Sequence, residues 1–128
     1  MVIDTSAIAA ILFGEPEQDE LIRKIAAAPH RVIAGGTLIE TSIVVEVRLG
    51  EVGGRELDLF FHRARVETLA MDQEQVLLAR AAWRRYGRGR HPAGLNFGDL
   101  FAYALARSRG EPLLFKGDDF SKTDVLVA

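Results

Sequence analysis

The chain opens Met1-Val2-Ile3-Asp4-Thr5-Ser6-Ala7, and this opening constrains its fold more than any other segment. A short apolar run delivers an aspartate at its end. Thr5 and Ser6 then read as a helix N-cap before Ala7-Ile8-Ala9-Ala10-Ile11-Leu12. An acid at the carboxyl end of a first strand, followed at once by a helix, lies where open α/β sheets place their chemistry. Glu40, Asp99 and the pair Asp118-Asp119 fall at similar seams, each in or beside a stretch that otherwise reads as buried.

The remaining periodicity alternates helix and strand. It predicts strand at 2–4, helix at 5–13 and 17–28, strand at 31–34 ended by Gly35-Gly36, and helix at 37–49 stopped by Gly50 and Gly53-Gly54. Helix follows at 55–65 and strand at 66–70. Helix at 72–86 has Asp72 as N-cap and Val76, Ala79 and Trp83 on one stripe. A flexible basic glycine-rich loop spans 87–94. Helix runs from Asn96 or Phe97 to Arg109, capped by Gly110, with strands at 112–116 and 124–127. Such alternation implies a parallel sheet with helices on both faces.

With 128 residues, 48% of them hydrophobic and 27% charged, the chain is expected to form one domain spanning 1–128 with a substantial core. Its formal net charge of −2 argues against a globally basic nucleic-acid binder but leaves local patches open. It has no cysteine, hence no disulfide or thiolate metal site, which suits a reducing cytoplasm. No signal peptide or membrane association is expected, because Asp4 interrupts the first apolar run and no apolar stretch approaches the ~20 residues of a membrane span.

The acids are the main functional signal. Asp4 follows the first strand, Glu40 and Asp99 fall in the first turns of helices, and Asp118 and Asp119 follow the fourth strand. Two carboxylates ~4 Å apart repel by roughly 4 kcal/mol at an effective dielectric near 20. Several in one pocket therefore call for a cation, and an all-oxygen donor set points to Mg²⁺ or Mn²⁺. Such an ion can activate water for phosphodiester cleavage.

Four segments together resemble the PIN-domain ribonucleases of the VapC toxin type. They are Val2-Ile3-Asp4-Thr5-Ser6-Ala7, Leu38-Ile39-Glu40-Thr41, Leu95 to Ala106 around Asn96-Phe97-Gly98-Asp99, and Leu113-Leu114-Phe115-Lys116-Gly117-Asp118-Asp119-Phe120. The resemblance implies a three-layer α/β/α fold and a Mg²⁺-dependent endoribonuclease. It also implies a homodimer and inhibition by a VapB-type antitoxin. By resemblance, Asp4 and Asp99 match the metal-binding acids, and Glu40 matches a helical acid that serves as ligand or water-orienting base. Ser6 matches a small hydroxyl residue that orients Asp4 or caps the helix. Anchored on Phe120, the last segment matches Asp119 to the fourth acid and leaves Asp118 outside the frame. Phe115 and Gly117 stand where the family often has threonine and a further aspartate.

Arg85, Arg88 and Arg90 are expected to meet RNA phosphates or simply to complement a helix dipole, and Lys116 to meet phosphate or solvent. Trp83, Phe60 and Phe61 read as core or dimer surface, and His30 and His62 as structural. The apolar surplus at 46–49 and 57–61 reads as dimer or antitoxin surface. Two other functions compete with the nuclease. A receiver-like phospho-accepting domain would require paired acids after the first strand, where Thr5-Ser6 stands instead. An inactive PIN-like binding module would not need Asp4, Glu40 and Asp99.

Overall fold

A computed structural model describes all 128 residues. β1 (Val2–Ile3) enters α1 (Thr5–Leu12) through Asp4 alone. There follow α2 (Gln18–Ala27), β2 (Val32–Ala34), α3 (Gly35–Ala64), β3 (Glu67–Leu69), α4 (Gln73–Tyr86), α5 (Phe97–Arg109), β4 (Leu113–Leu114) and a 3-10 turn, Phe120–Lys122. The strands form one all-parallel sheet in the order β3-β2-β1-β4.

The two-residue period of a strand explains the layers. Val2 and Leu113 belong to an apolar cluster with Tyr86, Leu95, Ala102 and Leu105, on the side of α4 and α5. Ile3 and Leu114 turn the other way, into a cluster with Ile8, Leu21, Ile25 and Leu57 from α1, α2 and α3. Full burial of one such leucine or isoleucine contributes about 1.5–3 kcal/mol. Helices therefore cover both faces, which parallel strands require.

The strand order also fixes where a site can form. From β1 the chain moves outward to β2 and β3, then returns to place β4 on β1's other side. The switch point lies between β1 and β4, and the crevice beyond their carboxyl ends is the place for a ligand.

Several sequence expectations need correction. β2 ends at Ala34, before Gly35-Gly36 as expected, but these glycines already belong to the helix, because α3 begins at Gly35. A Cβ on Gly36 would strike the Phe101 ring, so this glycine permits close approach of α3 to α5. Of Gly50, Gly53 and Gly54, only Gly50 breaks the helix, at φ 66° and ψ −161°, a conformation that glycine tolerates. The strand expected at 124–127 is reduced to one bridge between Leu113 and Val127. The strand at 112–116 contracts to Leu113–Leu114. The 87–94 loop is clipped rather than loose: Leu95 N–H donates to Tyr86 O at 2.9 Å and Arg88 N–H to Leu95 O at 3.0 Å, above the fully buried Ala93.

Candidate active site

Asp4 is the N-cap of α1, a role the sequence reading gave to Thr5 and Ser6. Its Oδ2 accepts from the Ser6 N–H at 2.9 Å and the Ser6 hydroxyl at 2.7 Å. That hydroxyl in turn accepts from the Lys116 N–H at 2.9 Å. Ser6 thus ties the acid after β1 to the chain leaving β4, across the switch point. Asp4 is only 3% exposed, and its Oδ1 has no hydrogen-bond partner. Burial raises its pKa, opposed by the Ser6 bonds, and the charge on Glu40 raises it further.

Asp99 sits at the third position of α5 in a reciprocal capping box. Its N–H donates to Asn96 Oδ1 at 3.0 Å, and its Oδ2 accepts from the Asn96 N–H at 2.9 Å. The Asn-x-x-Asp spacing carries this signal in the sequence. Burial pushes the Asp99 carboxyl up to about 6, against the Asn96 bond, with further increments from the charges of Asp4, Glu40 and Asp119.

Glu40 lies in the second turn of α3, one turn later than expected, because the helix starts at Gly35. Its carboxylate rests against the backbone of Gly98, where any Cβ would overlap it. Gly98 therefore lets α3 bring an acid up to the start of α5, a role the sequence reading missed. Beneath it, Thr5 Oγ1 and Thr41 Oγ1 share a hydrogen bond of 3.0 Å, and Thr41 donates to Thr37 O at 2.7 Å. These buried threonines fix α3 on α1.

Asp119 precedes the 3-10 turn, and its frame is anchored by Phe120, buried against Phe115 at 5.2 Å between ring centroids. Asp119 is among the charges that raise Asp99, and Asp118 is not. Asp4, Glu40, Asp99 and Asp119 thus share one electrostatic field, although the carboxylates do not close into a ready three-ligand cluster. The donor set fits a divalent cation on two counts: its donors are all oxygen, and the buried Asp4 Oδ1 lacks a partner.

The basic residues divide. Lys116 Nζ is held by Glu15 and, at 3.2 Å, by Glu17. Arg85 reaches Asp124 at 3.7 Å and lies over the Tyr86 ring. Arg90 lies over Trp83, 5.6 Å from the ring centroid. Arg88 lines an apolar groove beside α5. His30 and His62 are exposed, while Phe60 and Phe61 pack partly buried against the α1–α2–α3 core.

Comparison with known proteins places the chain in a family. The PIN-domain family model matches residues 1–126. Ribonuclease VapC of Mycolicibacterium smegmatis is 56% identical over 125 residues, covering 98% of this chain and 97% of that protein. Ribonuclease VapC30 of Mycobacterium tuberculosis is 51% identical over 125 residues, covering 98% and 95%. The chain belongs to the PIN-domain family, within its VapC group. Among solved structures, M. tuberculosis VapC20, a sarcin–ricin loop cleaving toxin, superposes with a TM-score of 0.79 at 19% identity over 99% of this chain and 97% of its own. VapBC2 from Rickettsia felis, bound to a promoter DNA fragment, gives 0.77 at 14% identity over 98% and 94%. The receiver-like alternative finds no support in this kinship.

Proposed function

We propose that this protein is a divalent-metal-dependent endoribonuclease, the toxin of a VapBC-type pair. The observation that carries the reading is the buried, partnerless Oδ1 of Asp4 within a field shared with Glu40, Asp99 and Asp119. Kinship with named VapC ribonucleases over nearly the whole chain supports RNA as substrate. Asp4 and Asp99 would hold Mg²⁺ or Mn²⁺, with Glu40 and Asp119 completing the acidic shell. When bound, the ion supplies an activated water and charge stabilisation at the scissile phosphate. Ser6 keeps Asp4 in one rotamer, so Oδ1 stays directed away from the hydroxyl that holds Oδ2. Glu40, without a hydrogen-bond partner of its own, would orient water or join the ligands.

Two surfaces support the partners of this reading. Ile39, Ile43 and Val47 follow one another every four residues on α3 and are 65%, 58% and 83% exposed, a stripe suited to a second copy of the chain. A groove of about 450 Å³ between α2 and the second half of α3, lined by Ile22, Ile25, Leu59 and Phe60, suits an antitoxin segment. No helix is long and apolar enough to cross a membrane. Incubating end-labelled single-stranded RNA with the purified protein, with Mg²⁺ or with EDTA, tests the activity. Internal cleavage only with the metal is expected; equal cleavage in EDTA would remove the metal from the reading.

A further inference from the structure

One well-formed cavity of the molecule is not lined by the acids. It is an open groove of about 660 Å³ between α4 and α5, within the size range of small-ligand pockets. Its floor and walls are apolar and aromatic: Val76, Trp83, Phe97, Leu100 and Phe101. Phe97 is 76% exposed, although it stands in the first turn of a helix whose later residues are buried. Its ring meets Phe101 edge to face, with centroids 5.1 Å apart. Trp83 lines the same groove, and its indole lies against Gly87, where a Cβ would collide with it. The only charged side chains lining the groove are Arg80, Arg84 and Arg88. This is a local excess of positive charge on a chain whose formal net charge is −2.

The groove borders the acids through Asn96. Asn96 lines it and forms the reciprocal capping pair with Asp99. One turn of α5 therefore presents an open aromatic ring and a candidate metal-binding carboxylate two residues apart.

We infer that this groove is a nucleobase subsite, in which an unpaired base flanking the scissile phosphate stacks on Phe97 and Trp83 while Arg84 and Arg88 hold the adjoining phosphates. The inference rests on the nuclease reading and extends it to how the RNA is held. Aromatic faces between cations are the means by which proteins take single-stranded nucleic acid, because every base offers a π-face and every linkage a negative charge. Charge complementarity favours this occupant over a second copy of the chain. A two-fold interface centred here would set arginines against the same arginines, with no acid in the lining to offset them.

Trp83 is the only tryptophan of the chain, so its fluorescence reports the groove directly. The test titrates the protein in EDTA with a short single-stranded oligoribonucleotide and with an abasic strand of equal length and charge. The base-containing strand should quench Trp83 and bind about tenfold more tightly than the abasic one. Phe97→Leu should erase that tenfold difference, Phe97→Tyr should retain it, and Arg84→Ala with Arg88→Ala should weaken both strands. Equal binding of the two strands, or a Phe97→Leu protein that still distinguishes them, would overturn the subsite. So would a Trp83 signal that changes with protein concentration without RNA and disappears in Phe97→Leu, which would assign the groove to self-association. Because the titration contains no metal, it is independent of cleavage: a wild-type protein that cuts no RNA with any divalent ion defeats the nuclease reading and leaves this measurement to decide the groove.

Discussion

At the scale of single residues, the acids proposed to act are poorly placed for stability. Burial raises Asp4 and Asp99, and no cationic side chain pairs with either. The consequence for pH has a definite sign. An acid whose folded pKa lies above its unfolded value contributes stability while protonated, and loses it as pH rises through the folded value. For Asp99 that window runs from its ordinary 3.8 to about 6. In EDTA, Asp99→Asn should therefore gain melting temperature relative to wild type between pH 4.5 and pH 7. A constant difference across that range would deny the shift. Ser6→Ala should lower metal affinity about 10–100-fold, the usual effect of removing a partner that orients a ligand, while the circular dichroism spectrum is retained. Asp119→Asn should reduce cleavage more than Asp118→Asn, and the reverse order would move the register set by Phe120 by one residue. The sequence already pointed to Asp4, Glu40 and Asp99 as candidates, because acids beside apolar runs are costly to bury; Asp119 was separated from Asp118 only by resemblance, through the frame set by Phe120. The link from Ser6 to the Lys116 N–H was not legible, since it joins residues 110 apart in sequence through a strand pairing.

At the scale of elements, the site depends on how closely α3 can approach α5. Gly36 against Phe101 and Gly98 against Glu40 are the two contacts that permit it. Gly98→Ala should force Glu40 aside and cost about 1–3 kcal/mol from overpacking. Cleavage should fall in parallel, as read by melting temperature and initial rate on the same preparation. Full activity with unchanged melting would show that Glu40 is not held there. Gly36 could be read from the sequence only as a stop and Gly98 only as a helix residue, because a glycine's packing partner on another helix is invisible in one dimension. The Ile43-Val44-Val45 run favours a strand locally, yet it lies in α3, with Val45 buried and its neighbours exposed. Helix packing overrides the β-branched preference there. The loop between α4 and α5 should govern affinity rather than chemistry. Arg88→Ala with Arg90→Ala should flatten the slope of log affinity against log salt by about 1.4, ~0.7 for each lost phosphate contact on a single strand. An unchanged slope would leave these arginines to the helix dipole.

At the scale of the whole molecule, the parallel sheet and its switch point bring acids from four separated segments within one another's electrostatic influence. Strand order places the ends of β1 and β4 side by side, and α3 and α5 supply the remaining acids from above. The layered α/β architecture was legible from alternating apolar segments; the spatial order β3-β2-β1-β4 was not, because periodicity identifies strands without naming their neighbours. Apolar surface left uncovered on α3 and between α2 and α3 supports partners in addition to RNA. The most direct measurement of the central claim is Mg²⁺-dependent cleavage of single-stranded RNA by wild type and Asp4→Asn, purified alike and matched by circular dichroism. The account predicts internal cleavage by wild type and a loss of about 100-fold or more in the variant, the scale of removing a group that acts directly in the transition state. Near-wild-type cleavage by folded Asp4→Asn would contradict it.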